Sequence, residues 1–212
     1  GGRGFHLGLG SGVTASWSAR AAPGRRIRVA EIVPGVADQL KWFQDRQAPD
    51  LDIVVGEGRS LLAAEQSKLD LITTDIVFPE SAGAGGLFSA EYFQLVRSRL
   101  SERGIFMHWL PLWQMSSQAF QSTVRAFLDV FPNATLWVIN TDPSRPLAGL
   151  LGSPASIASL ADAAGLQQRI ARVNDKGRAW NELHLDSAAS VLAYAVCGAR
   201  ELNLLAGNAP AS

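Results

Sequence analysis

Residues 5–17 read FHLGLGSGVTASW. A short apolar run leads into Gly8, Gly10 and Gly12, and a helix-like pattern follows from residue 13. Glycines between a buried strand and a helix let a ligand approach the backbone, and the helix presents its free N–H groups to that ligand. The stretch therefore predicts the first strand–loop–helix unit of a nucleotide-binding α/β domain.

The rest of the first half alternates strand and helix patterns. Strands are predicted at 26–32, 51–55, 69–76, 104–110 and 134–140, and helices at 34–43, 60–66, 89–100 and 117–131. Ser89 is the expected cap of the third of these helices, and Gly104 its expected end. Repeated strand–helix–strand units predict an α/β fold, a doubly wound and mostly parallel sheet with helices on both faces.

The pattern changes near residue 150, where the chain turns helical and alanine-rich. We predict a nucleoside-binding domain over residues 1–150. Residues 151–212 are predicted to be a helical carboxyl-terminal extension of the same domain.

Composition limits the partners. Of 212 residues, 47% are hydrophobic and 18% charged, which suffices for a packed core. Basic and acidic residues number 19 each, so no net field favours nucleic acid. The single cysteine rules out an internal disulfide and a cysteine-rich metal site. The longest apolar run, SVLAYAVCGA, is shorter than the ~20 residues that span a bilayer.

Three carboxylates follow successive predicted strands, as the glycine loop follows the first. Glu31 comes 19 residues after Gly12, at the spacing of an acid that accepts both ribose hydroxyls of an adenosine. Glu57 lies where it could accept the exocyclic amine of adenine, and Asp75 would lie at the reactive end of the nucleoside. Each acid alone is equally well explained as a solvated strand end or turn residue. Their convergence at one sheet edge favours a ligand site.

The loop itself discriminates between nucleotides. A dinucleotide fingerprint needs a third glycine where this chain has Val13, and no Walker lysine follows the loop. The G-x-G-x-G form, with acids rather than basic residues around it, indicates a ligand of the S-adenosylmethionine type. Such a ligand carries a cationic sulfonium and no phosphate.

Five stretches together resemble the nucleoside-binding domain of spermidine synthases: LGLGSG, VAEI-x-P-x-V, V-x-GEGR-x-LL, LDLITTD-x-x-x-P and LFSAEYFQLVRSRLSERGIF. The stretches TDIVFPESAGAGGLFS and GIFMHWLPLWQM are most similar to spermidine-synthase-like proteins whose homologues are often fused to membrane-spanning segments. The resemblance covers roughly residues 4 to 140.

The resemblance implies a Rossmann-like fold of the class I methyltransferase type. It implies a transferase that moves the aminopropyl group of decarboxylated S-adenosylmethionine to a polyamine such as putrescine, without a metal or prosthetic group. Asp75 would be the general base. The nucleoside site would comprise the four loop residues Gly8, Gly10, Ser11 and Gly12 together with Glu31, Glu57 and Gly58.

Two positions depart from the family pattern. Ser11 stands where the family has an aspartate for the aminopropyl amine, and Phe78 stands where a second acid for the polyamine is expected. Phe78 and Trp109 are predicted to line the acceptor pocket. In the family an amino-terminal β-domain precedes the glycine loop and completes this pocket, so we expect a longer parent protein.

Two other functions stay open. One is an S-adenosylmethionine-dependent methyltransferase, although His6 stands where such enzymes usually have an acid. The other is a nucleoside-binding domain without catalysis, which Ser11 and Phe78 favour. The expected location is the cytoplasm. Membrane-spanning segments in the parent protein and a homo-oligomer also stay open.

Overall fold

A computed structural model describes residues 2–43, 51–75, 83–140, 142, 144–155, 163–174 and 185–211. Within them the chain forms one eight-stranded sheet. The strands are β1 Arg3–Leu7, β2 Arg26–Glu31, β3 Asp52–Val55, β4 Leu69–Thr74, β5 Leu100–Pro111, β6 Thr135–Asn140, β7 Leu147–Gly152 and β8 Ala195–Cys197. Their order across the sheet is β3-β2-β1-β4-β5-β7-β6-β8.

The first five strands are parallel, and β7 runs antiparallel between β5 and β6. The short strand β8 adds to β6, also antiparallel. The helices are α1 Val13–Ala21, α2 Pro34–Phe43, α3 Gly58–Ala64, α4 Ala90–Arg99, α5 Ser117–Val130, α6 Ala163–Asn174, α7 Ala188–Leu192 and α8 Ala199–Ala206. Short 3₁₀ helices cover Ala84–Phe88 and Leu112–Gln114.

Two hydrophobic clusters flank the sheet. The larger includes Phe5 and Leu7 of β1 and buried side chains of α3, α4 and α5. The smaller joins Val29 of β2 to Ala15 and Ala19 of α1. Four of the five β1 residues are buried, as expected of a parallel strand that helices cover on both faces. The predicted Rossmann-like, doubly wound and mostly parallel fold is thereby confirmed.

Two helix predictions need correction: the helix predicted at 60–66 lies at Gly58–Ala64, and the helix end predicted at Gly104 is wrong. Gly104 does not end α4, because α4 already ends at Arg99. Leu100 is the first residue of β5 and pairs with Leu69 of β4. The pairing then skips from Leu100 to Ile105, a bulge in which Gly104 approaches the backbone. A Cβ on Gly104 would lie 2.7 Å from the carbonyl oxygen of Leu69. The glycine therefore permits a close contact between strands rather than a helix end.

The structure adds strands to the part of the chain after residue 150, for which the sequence predicts helix. β7 spans residue 150 and β8 joins the same sheet from the carboxyl-terminal segment. The division at residue 150 remains a prediction. Among the helices of the described ranges, none combines the length and the apolar character needed to cross a lipid bilayer.

Candidate functional site

The candidate site lies at the carboxyl ends of β1 to β4. β1 pairs with β2 on one side and β4 on the other, so the strand order reverses at β1. Ligands of doubly wound sheets bind at such a switch point, beyond the carboxyl ends of the strands. The glycine loop, residues 8–12, occupies this position.

The backbone of the glycine loop needs its glycines. Gly8, Gly10 and Gly12 have φ values of +93°, +52° and +76°, a region that residues with a side chain rarely adopt. The loop closes with a 2.7 Å hydrogen bond from the N–H of Gly12 to the carbonyl of Leu9. α1 then begins without a side-chain cap, and Ser11 is exposed beside its first turn. The loop can therefore present backbone N–H groups to a ligand.

Glu31 braces the loop from the end of β2. Its side chain is only 7% exposed, and its Oε2 accepts a 3.0 Å hydrogen bond from the N–H of Leu9. Its Oε1 accepts a 2.8 Å bond from the N–H of Val33. Each carboxylate oxygen has a second lone pair, so Glu31 can still accept hydroxyl groups of a ligand. Glu31 thus ends β2, as the sequence pattern predicts, and the structure adds its contact with the loop; its ribose contact stays a prediction.

Glu57 lies at the end of β3 as predicted, but it serves as the N-cap of α3. Its two carboxylate oxygens accept 2.8 and 2.7 Å hydrogen bonds from the N–H groups of Arg59 and Ser60. Partial burial acts to raise the pKa of Glu57, yet these hydrogen bonds and the Arg59 charge hold it below its ordinary value. Glu57 is therefore ionised at neutral pH, and capping alone gives this acid a structural reason to be present.

Gly58 has a packing role in the structure. A Cβ on Gly58 would lie 3.0 Å from Cδ2 of Leu7, so its lack of a side chain lets α3 approach β1. Its predicted contact with the nucleoside stays a prediction.

Asp75 directly follows β4 and lies beside the glycine loop. Its N–H donates a 2.8 Å hydrogen bond to the carbonyl of Leu7, the last residue of β1. A Cβ built on Gly8 would lie 3.3 Å from Cβ of Asp75. The structure thus brings Asp75 and Glu31 to opposite sides of one loop, at the strand-order switch.

Several exposed apolar side chains near the strand ends carry no prediction from the sequence. Four large apolar side chains near the ends of β1, β2 and β3 are about half or more exposed: Val13, Ile32, Val33 and Val55. Exposed apolar groups beside polar ones are typical of ligand-binding surfaces. Their signal in the sequence is an apolar residue placed just beyond or at a strand end, beside the glycine loop or a site acid.

The structure describes only one of the two residues that are predicted to line the acceptor pocket. Phe78 lies outside the described residues. Trp109 is half-buried within β5, which continues to Pro111, and its ring lies against Gly149 of β7. A Cβ on Gly149 would lie 3.0 Å from Cζ3 of Trp109, so the ring packs on the sheet. Its lining role stays a prediction.

His108 precedes Trp109 and is fully buried. The rings of Phe88 and Phe93 lie 4.9 and 5.2 Å from its own, both edge to face. Burial lowers the pKa of His108 to about 3, so the ring is neutral at pH 7.

No group of three or more potential metal ligands occurs among the residues that the structure describes.

A groove lies at the opposite ends of the strands, near the start of β4 and β5. This groove of about 740 Å³ borders the carboxyl-terminal ends of α4 and α5, and its charged residues are Lys68, Arg97, Glu102 and Asp129. It contains none of the glycine-loop residues. The candidate site is therefore the carboxyl edge, where the loop and the acids converge.

Comparisons with solved structures agree with this fold. A probable spermidine synthase from Corynebacterium glutamicum matches with a TM-score of 0.70 and 20% identity, over 100% of this chain and 71% of that one. A spermidine synthase in complex with the transition state analogue AdoDATO matches with a TM-score of 0.61 and 21% identity, over 73% of this chain and 55% of that one. Human methyltransferase-like protein 13 in complex with SAH matches with a TM-score of 0.64 and 19% identity, over 83% of both chains.

The sequence itself places the chain in a family. No individual curated protein matches it significantly. The family model of the spermine/spermidine synthase domain matches residues 32–145, more than half of the chain, beginning just after Glu31. The chain therefore belongs to the spermine/spermidine synthase domain family.

Proposed function

We propose that the chain binds decarboxylated S-adenosylmethionine at the carboxyl edge and transfers its aminopropyl group to an amine. Asp75 would be the general base. The observation that carries this proposal is the position of the glycine loop, which accepts no side chain between itself and Asp75 on one side and is hydrogen-bonded to Glu31 on the other. An acid for the nucleoside and an acid for the reacting amine thus flank one backbone cradle.

The nucleoside side of the site supports an adenosine. Glu31 keeps lone pairs for the ribose hydroxyls while it holds Leu9. The exposed side chains of Ile32, Val33 and Val55 offer an apolar surface for a flat base. Glu57, although it caps α3, is exposed and ionised, so it can accept the exocyclic amine of adenine.

The chemistry is a single displacement. The lone pair of the acceptor amine attacks the carbon next to the sulfonium, and the carbon–sulfur bond breaks with its electron pair going to sulfur. The cationic sulfonium becomes the neutral thioether of methylthioadenosine. The proton that the amine loses passes to the Asp75 carboxylate, and catalysis then consists of positioning and proton removal.

The relatives support the choice of ligand class. Family membership points to polyamine aminopropyl transfer. One structural relative was solved with the transition state analogue AdoDATO and another with SAH. These two structures are below 25% identity to this chain, so they support a shared fold and, as part of this proposal, an adenosyl ligand. They do not identify the acceptor amine.

The test is a transfer assay with mass detection of product. Wild-type protein is incubated with decarboxylated S-adenosylmethionine and a panel of amines that includes putrescine, and Asp75→Asn is compared with Asp129→Asn. Asp129 is an exposed acid of α5 near the opposite ends of the strands, so its variant should match wild type. We expect Asp75→Asn to lose at least 100-fold in rate, within the range general base catalysis contributes. Equal rates for Asp75→Asn and wild type would remove Asp75 from this role.

A second candidate is methyl transfer from intact S-adenosylmethionine at the same site. The exposed Ser11 favours it, because no acid in the described part of the loop repels a carboxylate tail. The same assay with S-adenosylmethionine distinguishes the two by product mass. Nucleoside binding without any turnover would favour a domain that has lost catalysis.

A further inference from the structure

The two residues before Asp75 are both polar and both buried. Thr73 is 4% exposed and Thr74 is fully buried. Adjacent residues of a strand point to opposite faces of the sheet. The end of β4 therefore carries one hydroxyl group into each of the two layers that flank the sheet.

On one face, Thr74 pairs with Tyr92 of α4. Their hydroxyl oxygens are 2.6 Å apart, and both residues are fully buried. The Tyr92 ring packs against other aromatic rings, 5.9 Å from the ring of Phe93 and 6.2 Å from that of Phe106. The phenol is thus fixed by packing and holds Thr74 by a single directed hydrogen bond.

On the other face, Thr73 pairs with His6 of β1. Its hydroxyl lies 2.6 Å from Nδ1 of His6, directly across the strands in register. His6 is 1% exposed, and burial lowers its pKa to about 4, so this is a neutral pair at pH 7. Within the described part of the chain, Nε2 of His6 has no partner. A buried imidazole with one unmet nitrogen costs more than an apolar side chain would, so packing alone does not account for it.

We propose that Tyr92 and His6 are positioning residues that act through Thr74 and Thr73 to hold Asp75 at the reacting edge. The backbone of Asp75 is itself bonded to Leu7, so the residue is held along the sheet by this bond and on both faces by the two hydroxyl pairs. Both pairs are neutral, so they order the strand end without placing a charge beside the carboxylate. The inference rests on the proposed function for its catalytic consequence.

A double-mutant cycle separates positioning from packing. Tyr92→Phe and Thr74→Val each leave one buried hydroxyl without its partner, whereas the double variant removes both and should recover most of the lost stability. We expect the transfer rate to fall about 10- to 100-fold in all three variants, since a small misplacement of a reacting group has effects of this size. The dissociation constant for methylthioadenosine should stay within about twofold of wild type. A rate that recovers together with stability in the double variant would overturn the proposal for Tyr92.

For His6, a conservative variant provides the comparison. An Asn side chain can place an amide group where Nδ1 of His6 meets Thr73, whereas Leu cannot. We expect His6→Asn to retain most of the rate and His6→Leu to lose about 10-fold or more. Equal rates in the two variants would overturn the role of His6.

Amide exchange tests the same inference without activity. The N–H of Asp75 should exchange about five- to tenfold faster in Tyr92→Phe and in His6→Leu, relative to the slowest core amides. The matched control is Thr123→Val, which removes a buried hydroxyl bonded to the carbonyl of Ala119 within α5. If wild type proves inactive, the proposed function fails while exchange still tests the positioning of Asp75. If the exchange rate of the Asp75 amide rises no more in Tyr92→Phe and His6→Leu than in Thr123→Val, the inference is overturned.

Discussion

Glu31 offers the sharpest test of how the site is held together, by substitution to Gln. The carboxylate is 7% exposed and accepts hydrogen bonds from the N–H groups of Leu9 and Val33. A Gln side chain keeps one acceptor oxygen and turns an NH₂ group toward the other N–H. One charge-assisted bond is then lost and a buried donor is left without an acceptor.

The magnitude follows from these contacts. A hydrogen bond to a charged group contributes about 1.5–3 kcal/mol, so we expect Glu31→Gln to lose about 2 kcal/mol in free energy of unfolding. For a domain of this size, that corresponds to a fall in Tm of about 4–8 °C. The control is Glu102→Gln, because Glu102 is an exposed acid near the opposite ends of the strands. Its Tm should stay within about 1 °C of wild type.

The assay is thermal unfolding with and without methylthioadenosine. At about 100 times the dissociation constant, the ligand should stabilise wild type by about 2.7 kcal/mol. If Gln weakens the ribose contact tenfold, the same ligand concentration stabilises the variant by only about 1.4 kcal/mol. A Glu31→Gln variant that melts within about 1 °C of wild type, with an unchanged ligand shift, would refute both the bracing and the ribose role.

Three further predictions concern charge. Because the pKa of His108 is lowered to about 3, the unfolded chain binds a proton below pH 6.5 that the folded chain excludes. This group therefore lowers the free energy of unfolding of wild type by up to about 1.4 kcal/mol for each pH unit below 6.5. In denaturant titrations, the free energy of unfolding of His108→Leu should fall less steeply than that of wild type between pH 6.5 and 4, and parallel pH dependences would contradict this. The pKa of Glu57 is also lowered, so its contribution to the free energy of unfolding is present above about pH 4.5 and lost as the pH falls. Glu57→Gln should lower the free energy of unfolding by about 0.5–1 kcal/mol at pH 7 and by almost nothing near pH 3. An equal loss of stability at both pH values would exclude charge as the cause. Because an aspartate at position 11 would attract the aminopropyl amine and repel a carboxylate tail, Ser11→Asp should strengthen binding of decarboxylated S-adenosylmethionine and weaken that of S-adenosylmethionine. Calorimetry should show each affinity change to be up to about fivefold at this exposed position. Equal affinity changes for both ligands would count against a contact between position 11 and the aminopropyl amine.

Local sequence signals predict the first part of the fold well. The helix at 34–43 begins and ends where the pattern places it, because Pro34 suits a first helical turn. Ser89 caps α4 as predicted, with its hydroxyl accepting from the N–H of Tyr92. Both depend on interactions within a few residues, which a sequence pattern contains.

The missed elements depend on distant parts of the chain. β7 escapes prediction as a strand because the sequence LAGLLG has no polar alternation, since both of its faces are buried. β8 has only three residues and exists through its pairing with β6. The sequence pattern places the start of β5 four residues late, because the bulge at Gly104 forms against Leu69 in another strand.

The same distinction applies to the site. Glycine alternation and the positions of Glu31, Glu57 and Asp75 at strand ends could be read from spacing, and the structure places all of them at one edge. The pairing of Thr73 with His6, 67 residues apart, could not. The cap formed by Glu57 is local and within reach of a sequence pattern, although it is not among the predictions. Spacing indicates which groups reach the edge, and only the fold shows which distant partners already occupy them.

Binding of an adenosyl nucleoside beside Asp75, at the carboxyl edge of the sheet, is the step on which the proposed function depends. Isothermal titration of the chain with methylthioadenosine tests it most directly, with Gly8→Ala as the comparison because Gly8 has a φ of +93° and lies against Asp75. We expect binding at one site per chain and a loss of at least tenfold in affinity for Gly8→Ala, since a side chain there strains the loop. Absence of binding heat with wild type at millimolar nucleoside, or equal affinity in a folded Gly8→Ala variant, would contradict this expectation.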